Sequence, residues 1–266
     1  MKTKIIAVAN HKGGVGKTTL VASIGPLFAR AGYRVLLIDL DPQCSLTESL
    51  IDFEPERSVL DAFLNPRTGA AGIVIPWTEF REPVAGMCLI PASPEMSCLE
   101  AALSGRTSRE LTLTKILRNL NTGRDYDIIL MDCPPDLYAI TVNALTACNE
   151  LLVPTLSEYL PLRGLKKLEA KCAEIAEDLN PGLRITGIVV NRYNSRKNLN
   201  VSVDEALRRT YGDTVLRTRI RENVRIAESP QAMRDIVSYS PGSNGARDYI
   251  ELAKELIERF ERKDGD

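Results

Sequence analysis

The residues best suited to chemistry in this chain are Asn10-His11-Lys12-Gly13-Gly14-Val15-Gly16-Lys17-Thr18-Thr19. Glycines let backbone N–H groups turn toward an anion. Lys17 adds a full positive charge, and the Thr18 hydroxyl suits the shell of a magnesium ion. The apolar run Ile5-Ile6-Ala7-Val8-Ala9 precedes this loop, and a helical pattern from Leu20 to Arg30 follows it. Strand, glycine loop and helix start together form a cradle for a nucleotide phosphate, because the helix N-terminus contributes partial positive charge.

The loop departs from the general pattern G-x-x-x-x-G-K-[ST]. His11 stands at the first glycine position, and an extra lysine, Lys12, precedes the glycine pair. Three destinations are open to Lys12: a phosphate of the same nucleotide, a phosphate across a dimer interface, or water. Beside Gly13-Gly14 a phosphate role is the preferred reading.

Two further segments end in carboxylates. Val35-Leu36-Leu37-Ile38-Asp39-Leu40-Asp41-Pro42-Gln43 reads as an apolar strand that delivers Asp39 and Asp41 to one edge of a sheet. Open α/β sheets bind ligands at that edge. A carboxylate there orients a magnesium-bound or attacking water; the competing reading is a turn formed by Asp-Pro. Tyr126-Asp127-Ile128-Ile129-Leu130-Met131-Asp132-Cys133-Pro134-Pro135 is a second buried strand, ending in Asp132. Asp132 looks like the Walker B carboxylate that holds Mg2+ through a water, with a helix cap as the alternative.

The elements that must position these groups follow from the pattern of the chain. Apolar runs alternate with helical patterns, which predicts a doubly wound, mostly parallel sheet with helices on both faces. Strands are expected at Ile5–Ala9, Val35–Asp39, Cys88–Pro91, Ile128–Asp132, Leu151–Pro154, Ile185–Asn191 and Val215–Ile220. Helices are expected at Lys17–Arg30, Met96–Leu103, Ser108–Leu120, Ile140–Ala147, Leu162–Leu179, Val201–Tyr211 and Gly245–Arg262. Residues 52–84 read as an irregular insertion of short helices and loops. Without repeats, a low-complexity linker or a break in composition, residues 1–266 read as one domain.

The 266 residues, 44% of them hydrophobic, suffice for one sizeable α/β core. Apolar runs fall short of the roughly 20 residues of a membrane span. Met1-Lys2-Thr3-Lys4 leads straight into a strand, so a signal peptide is not expected, and neither is a helix-turn-helix ahead of the phosphate loop. Six scattered cysteines (Cys44, Cys88, Cys98, Cys133, Cys148, Cys172) read as small buried residues in a reducing cytoplasm. Net charge is −1, yet Arg184 to Arg225 carries ten Lys/Arg against four Asp/Glu. That local excess reads either as a solvated face or as a patch for DNA phosphates. The last helical stretch, Tyr249 to Phe260, is amphipathic, but its polar face carries Glu251, Glu255 and Glu258. Membrane-surface helices favour a basic polar face, so packing on the core is expected.

These motifs resemble those of the ParA/Soj group of deviant Walker A ATPases, in the larger group that includes MinD. The matching residues are Lys12 to Thr19, Asp39-Leu40-Asp41-Pro42-Gln43, Asp132-Cys133-Pro134-Pro135, Glu158-Tyr159, Asn194 to Leu199, Asn223 to Pro230 and Gly245-Ala246-Arg247-Asp248-Tyr249. The resemblance implies a SIMIBI-type P-loop NTPase fold. It implies ATP as substrate, Mg2+ as cofactor, and contacts from Lys12, Gly13, Gly14, Val15, Gly16, Lys17, Thr18 and Thr19. It gives Lys17 the β/γ phosphates, Thr18, Asp41 and Asp132 the metal, Asp41 a part in activating water, and Lys12 the nucleotide of a partner subunit. An ATP-dependent homodimer that binds double-stranded DNA without sequence preference follows, with Arg196 and Arg225 as DNA contacts and Lys197 and Arg192 beside them. Hydrolysis is stimulated by a ParB-type partner, and the implied location is cytoplasmic and nucleoid-associated.

The chain departs from that pattern in places. Ile220-Arg221-Glu222-Asn223-Val224-Arg225 lacks the proline of Ile-Pro-Arg-Asn-Val-Arg, and Glu222 replaces a positive charge. Asp136 stands where a serine is commonest. Val189-Val190-Asn191-Arg192-Tyr193 is similar to the MinD side, and Asn191, at a strand end, is placed to read the adenine edge through its amide. Rival readings are a MinD-like or ParA-like positioning ATPase for a protein cargo or membrane site, an ATP-dependent scaffold without turnover, and an iron–sulfur reductase. Against the last, Cys98 reads as part of a buried helix face and Cys133 as part of a strand.

Overall fold

Strands alternate with helices, and the runs read from sequence become the sheet. The computed structural model describes residues 3–66, 70–120, 126–158 and 161–265; Tyr159, one of the matching motif residues, lies outside them. In chain order the elements are β1 (Lys4–Val8), α1 (Lys17–Arg30), β2 (Val35–Asp39), α2 (Ser45–Glu48), α3 (Val59–Leu64), β3 (Ile75–Pro76), β4 (Met87–Ile90), α4 (Leu99–Leu103) and α5 (Thr112–Leu120). There follow β5 (Ile128–Asp132), α6 (Ala139–Ala147), β6 (Glu150–Leu156), α7 (Pro161–Asp178), β7 (Ile185–Tyr193), α8 (Asn198–Tyr211), β8 (Val215–Arg221), α9 (Val224–Glu228), α10 (Ile236–Tyr239) and α11 (Asn244–Gly265).

The strands form one sheet in the order β3-β4-β2-β5-β1-β6-β7-β8. All pairs are parallel except β3 with β4. Successive strand residues serve opposite faces, so a sheet covered on both sides needs apolar residues at every position. Leu36, Ile38, Ile129 and Met131 face the core shared with α3 to α8. Leu37, Ile128, Leu130 and Val8 face the core shared with α1, α10 and α11. On that second face Gly25 of α1 sits so close to the sheet that an added Cβ would lie 2.8 Å from a methyl of Leu37.

The seven expected strands are all present; β2 and β5 match the expected bounds, and the other five have shifted ends. The two-residue β3 was not expected; it lies in the irregular insertion, where Ile75 pairs with Leu89. Two expected helices begin as tighter 3-10 turns, at Pro94–Cys98 and Arg109–Leu111. The first of these corrects the placement of Cys98. Met96 and Leu99 take the buried side of the turn, and Cys98 is left exposed. Cys88 is only partly buried, while Cys44, Cys133, Cys148 and Cys172 are buried as expected; all six are free thiols.

The acidic amphipathic helix α11 packs on the core as expected, burying Tyr249, Leu252, Leu256 and Phe260. Among the described residues no helix is long and apolar enough to cross a membrane.

Candidate functional site

The loop after β1 is fixed from below before any ligand arrives. Asn10 is buried; its Nδ2 donates to the Pro154 carbonyl at 2.7 Å, and its Oδ1 accepts the Lys12 N–H at 3.0 Å. Gly14 and Gly16 both have positive φ, 71° and 89°, which turns the backbone N–H groups inward. Lys17 is buried at the start of α1. Lys12 points the other way: its side chain is 57% exposed and its Nζ lies 4.0 Å from Glu158, itself 52% exposed. One lysine is therefore buried at the base of the loop, and the other is exposed at its rim.

Asp132 and Asp39 end neighbouring strands and are register partners. The Thr18 hydroxyl donates to Asp132 Oδ2 at 2.6 Å. Asp132 Oδ1 is buried and has no hydrogen-bond partner among the described residues. Burial first, then the charge of Asp39, holds the Asp132 carboxyl well above the usual carboxylate range. Asp39 is also buried, and desolvation raises it to about 6, although hydrogen bonds from Thr47 and Asp41 work against the shift. Two adjoining buried carboxylates, one with an open oxygen, suit a divalent cation. Among the described residues no group of three or more His, Cys, Asp or Glu could hold a metal ion.

Asp39 also anchors the next turn of chain. Its Oδ2 accepts from the Thr47 N–H at 2.9 Å and the Thr47 hydroxyl at 2.8 Å, and its Oδ1 accepts the Asp41 N–H at 3.1 Å. Thr47 Oγ1 in turn accepts the Ala92 N–H at 3.1 Å, tying α2 to the end of β4. Asp41 is half-buried, with its Oδ1 on the Gln43 N–H at 2.9 Å. Sequence reading named Asp39 only as one of a pair, included Asn10 in the loop without giving it a role, and missed Thr47. A buried polar residue at a strand end or in a four-residue helix leaves no periodic signal. Asp136 now has a local explanation: its carboxylate accepts the Tyr138 N–H at 3.0 Å, forming the turn into α6.

A cavity of about 420 Å3 opens beside the loop, lined by Gly16, Asn191, Ile220, Val224, Ile226 and Tyr249 among others. Asn191 is buried; its Nδ2 donates to the Val15 carbonyl at 2.7 Å, and its Oδ1 has no partner among the described residues. A Cβ on Gly16 would lie 2.9 Å from Asn191 Nδ2, so these two residues require one another. Arg221 borders the same cavity, but its guanidinium is held by Asp248, with an Nη2–Oδ1 distance of 2.5 Å.

The basic stretch from Arg184 to Arg225 is less basic in space than in sequence. Asp204, itself within the stretch, takes both Arg208 and Arg219. Other partners come from outside it: Asp248 for Arg221, Glu255 and Glu258 for Arg217, and Glu228 for Arg225. The excess counted along the chain is therefore largely offset by α9 and α11. Lys197 is paired with Glu222 at 2.8 Å. Arg192, at φ 52°, and Arg196 are exposed and make no ion pair with any described residue. The four candidate DNA contacts lie near the C-terminal ends of β7 and β8, with Arg192 inside β7, Arg196 and Lys197 on the turn after it and Arg225 in α9, at the sheet edge that also carries the phosphate loop.

A family model described as an AAA domain matches residues 3–185. The chain is 36% identical to the sporulation initiation inhibitor protein Soj of Bacillus subtilis, over 95% of this chain and 98% of that one. It is 38% identical to the chromosome-partitioning ATPase Soj of Thermus thermophilus, over 98% of each. Among solved structures, cobyrinic acid a,c-diamide synthase from Mycobacterium smegmatis with bound ATP analog and magnesium is 33% identical. It superposes with a TM-score of 0.81 over 97% of this chain and 96% of that one. The phosphate loop, the paired strand-end carboxylates and the near end-to-end likeness agree: the chain belongs to the ParA/Soj group of partitioning ATPases, within the ParA/MinD superfamily.

Proposed function

We propose that the chain binds and hydrolyses ATP with Mg2+, closes into a homodimer around two nucleotides, and in that form binds double-stranded DNA without sequence preference. A ParB-type partner stimulates hydrolysis, DNA is released, and a plasmid, chromosome or protein cargo is thereby segregated or positioned. A single ATPase domain carries the cycle.

The observation that carries this reading is the unpartnered Asp132 Oδ1, buried beside Thr18 and Asp39 at the foot of the phosphate loop. Thr18 and Asp132 would hold the magnesium, with Asp41 at its border; the ion would supply positive charge against the phosphate oxygens. Lys17 would take the β/γ phosphates from inside the loop. Asp41, held by its own N–H to Asp39, would orient the attacking water. Asn191 Oδ1 would accept the exocyclic amine of adenine. The outward course of Lys12 supports a phosphate in a second subunit, where a cation offsets like charge across the interface.

The Mycobacterium smegmatis protein is named for a different activity, and a shared fold with a common Mg·ATP cradle would account for that likeness. The buried apolar side of α11 speaks against the MinD-like membrane alternative.

Sedimentation at saturating non-hydrolysable ATP analogue and Mg2+ tests the scheme. The expected result is a dimer that shifts random-sequence duplex DNA, and a Lys12→Ala protein that binds nucleotide but stays monomeric. A monomer under these conditions would overturn it. Within the DNA face, Arg196→Ala should cost more than Arg225→Ala, because Arg225 is already engaged by Glu228. Each should flatten the salt dependence by up to about 0.9 in log–log slope.

A further inference from the structure

Glu222 sits among the cations that the DNA reading requires. Its Oε2 accepts from Lys197 Nζ at 2.8 Å and lies 3.4 Å from Asn194 Nδ2. Its N–H donates to the Tyr193 carbonyl at 3.0 Å, so the turn after β8 is tied to the end of β7. The pairing with Lys197 crosses from one turn to the other and stays in water, with side chains 54% and 46% exposed. Lys197 holds the carboxyl of Glu222 below the usual carboxylate range, and Arg192 adds to that.

The neighbouring pair is built differently. Arg225 and Glu228 are three residues apart on α9, and Glu228 is also held by the Tyr239 hydroxyl at 3.1 Å. That acid has a second tether. Glu222 has only its hydration and the exposed groups of the opposite turn.

A DNA phosphate offers Lys197 the same kind of anionic oxygen that Glu222 now supplies. Both anions at hydrogen-bond distance from one ammonium repel each other. We propose that Glu222 is an internal competitor for the DNA backbone: it holds Lys197 in the DNA-free protein and lowers the affinity of this face for duplex DNA. The inference rests on the DNA-binding reading above. It gives a physical role to the one position in Ile220–Arg225 where an acid replaces a positive charge.

The test is a salt titration of duplex DNA binding by the full chain. Glu222 borders the cavity assigned to the base, so the ATP analogue and Mg2+ are kept saturating. Glu222→Gln should bind about three- to tenfold tighter near 0.1 M salt, with a log–log slope steeper by up to about 0.9 per subunit. Lys197→Gln alone should weaken binding, because it leaves Glu222 without its cation beside the phosphates, and in the Glu222→Gln background it should erase the gain. Glu222→Ser serves as a second substitution and should repeat the gain. Equal or weaker binding by both Glu222 variants overturns the proposal, as does a gain that survives in the double variant. Wild-type binding with no effect of Glu222 removes this inference alone, whereas absence of binding in every protein removes the DNA reading with it.

Discussion

Thr18 and Asp132 are 114 positions apart in the chain, yet the threonine hydroxyl donates to the carboxylate at 2.6 Å. The bond holds one oxygen of Asp132 and leaves the other facing the foot of the phosphate loop. Asp132→Asn removes the negative charge at nearly constant shape. Nucleotide affinity in Mg2+ should fall about 10- to 100-fold, in the range seen when a group supporting a metal is lost. Affinity in excess chelator should stay close to wild type. Titration with and without Mg2+ reads the difference; an equal loss in both would assign Asp132 to folding.

Thr47 links three elements through one hydroxyl, donating to Asp39 and accepting from Ala92. Thr47→Val keeps the shape, strands the Ala92 N–H and leaves Asp39 Oδ2 with the backbone N–H of position 47 alone, at a cost of about 1–3 kcal/mol of stability. Since Asp39 also holds the Asp41 N–H, kcat should drop about tenfold while nucleotide affinity stays nearly level. Thr47→Ser, which restores the hydroxyl, should recover turnover. Rescue of stability without rescue of kcat would exclude the positioning role.

The Asp39 carboxyl is raised from 3.8 to about 6, chiefly by desolvation. Between those values the folded chain binds more proton than the unfolded chain. The contribution of Asp39 to stability is therefore greatest below about pH 4, and is lost as pH rises to about 6. Nucleotide-free protein should gain less on acidification when Asp39 is replaced by asparagine. Thermal unfolding at about pH 5 and about pH 7, compared between wild type and Asp39→Asn, measures this. An identical pH dependence in the two proteins would contradict it.

Asn191 lines the cavity and uses its NH2 on the Val15 carbonyl, and its buried oxygen, without a partner among the described residues, is the acceptor that the proposal gives to the base. An acceptor suits the amine of adenine and meets the carbonyl of guanine unfavourably. Asn191→Ala should lower ATP affinity about tenfold or more and narrow the preference of ATP over GTP. Competition titration of the two nucleotides decides it, and an unchanged ratio would free Asn191 from base recognition.

Much of this arrangement was legible in the sequence. The Lys17 loop, Asp39 and Asp132 each sit at the end of a near-continuous apolar run, and such runs become interior strands. The helix from Lys17 to Arg30 was placed to the residue in spite of Pro26 inside it. Tertiary contact explains what was missed. The four-residue α2 is held by the bonds of Thr47 to Asp39, not by its own propensity. Neither α9 nor α10 has a periodic stripe; both start at side-chain caps, Asn223 and Asp235. The charge count over Arg184 to Arg225 overstates the local excess for a similar reason, since its partners on α11 are close only after folding.

The helix that begins at Lys17 leans on α11. Phe28 and Phe260 meet with ring centroids 6.4 Å apart, and Tyr249 is buried in the same core. During synthesis, then, α1 leaves the ribosome ahead of α11 and lacks its backing until some two hundred further residues have followed. A product that ends before α11 would carry the phosphate loop without the Phe260 and Tyr249 contacts behind α1.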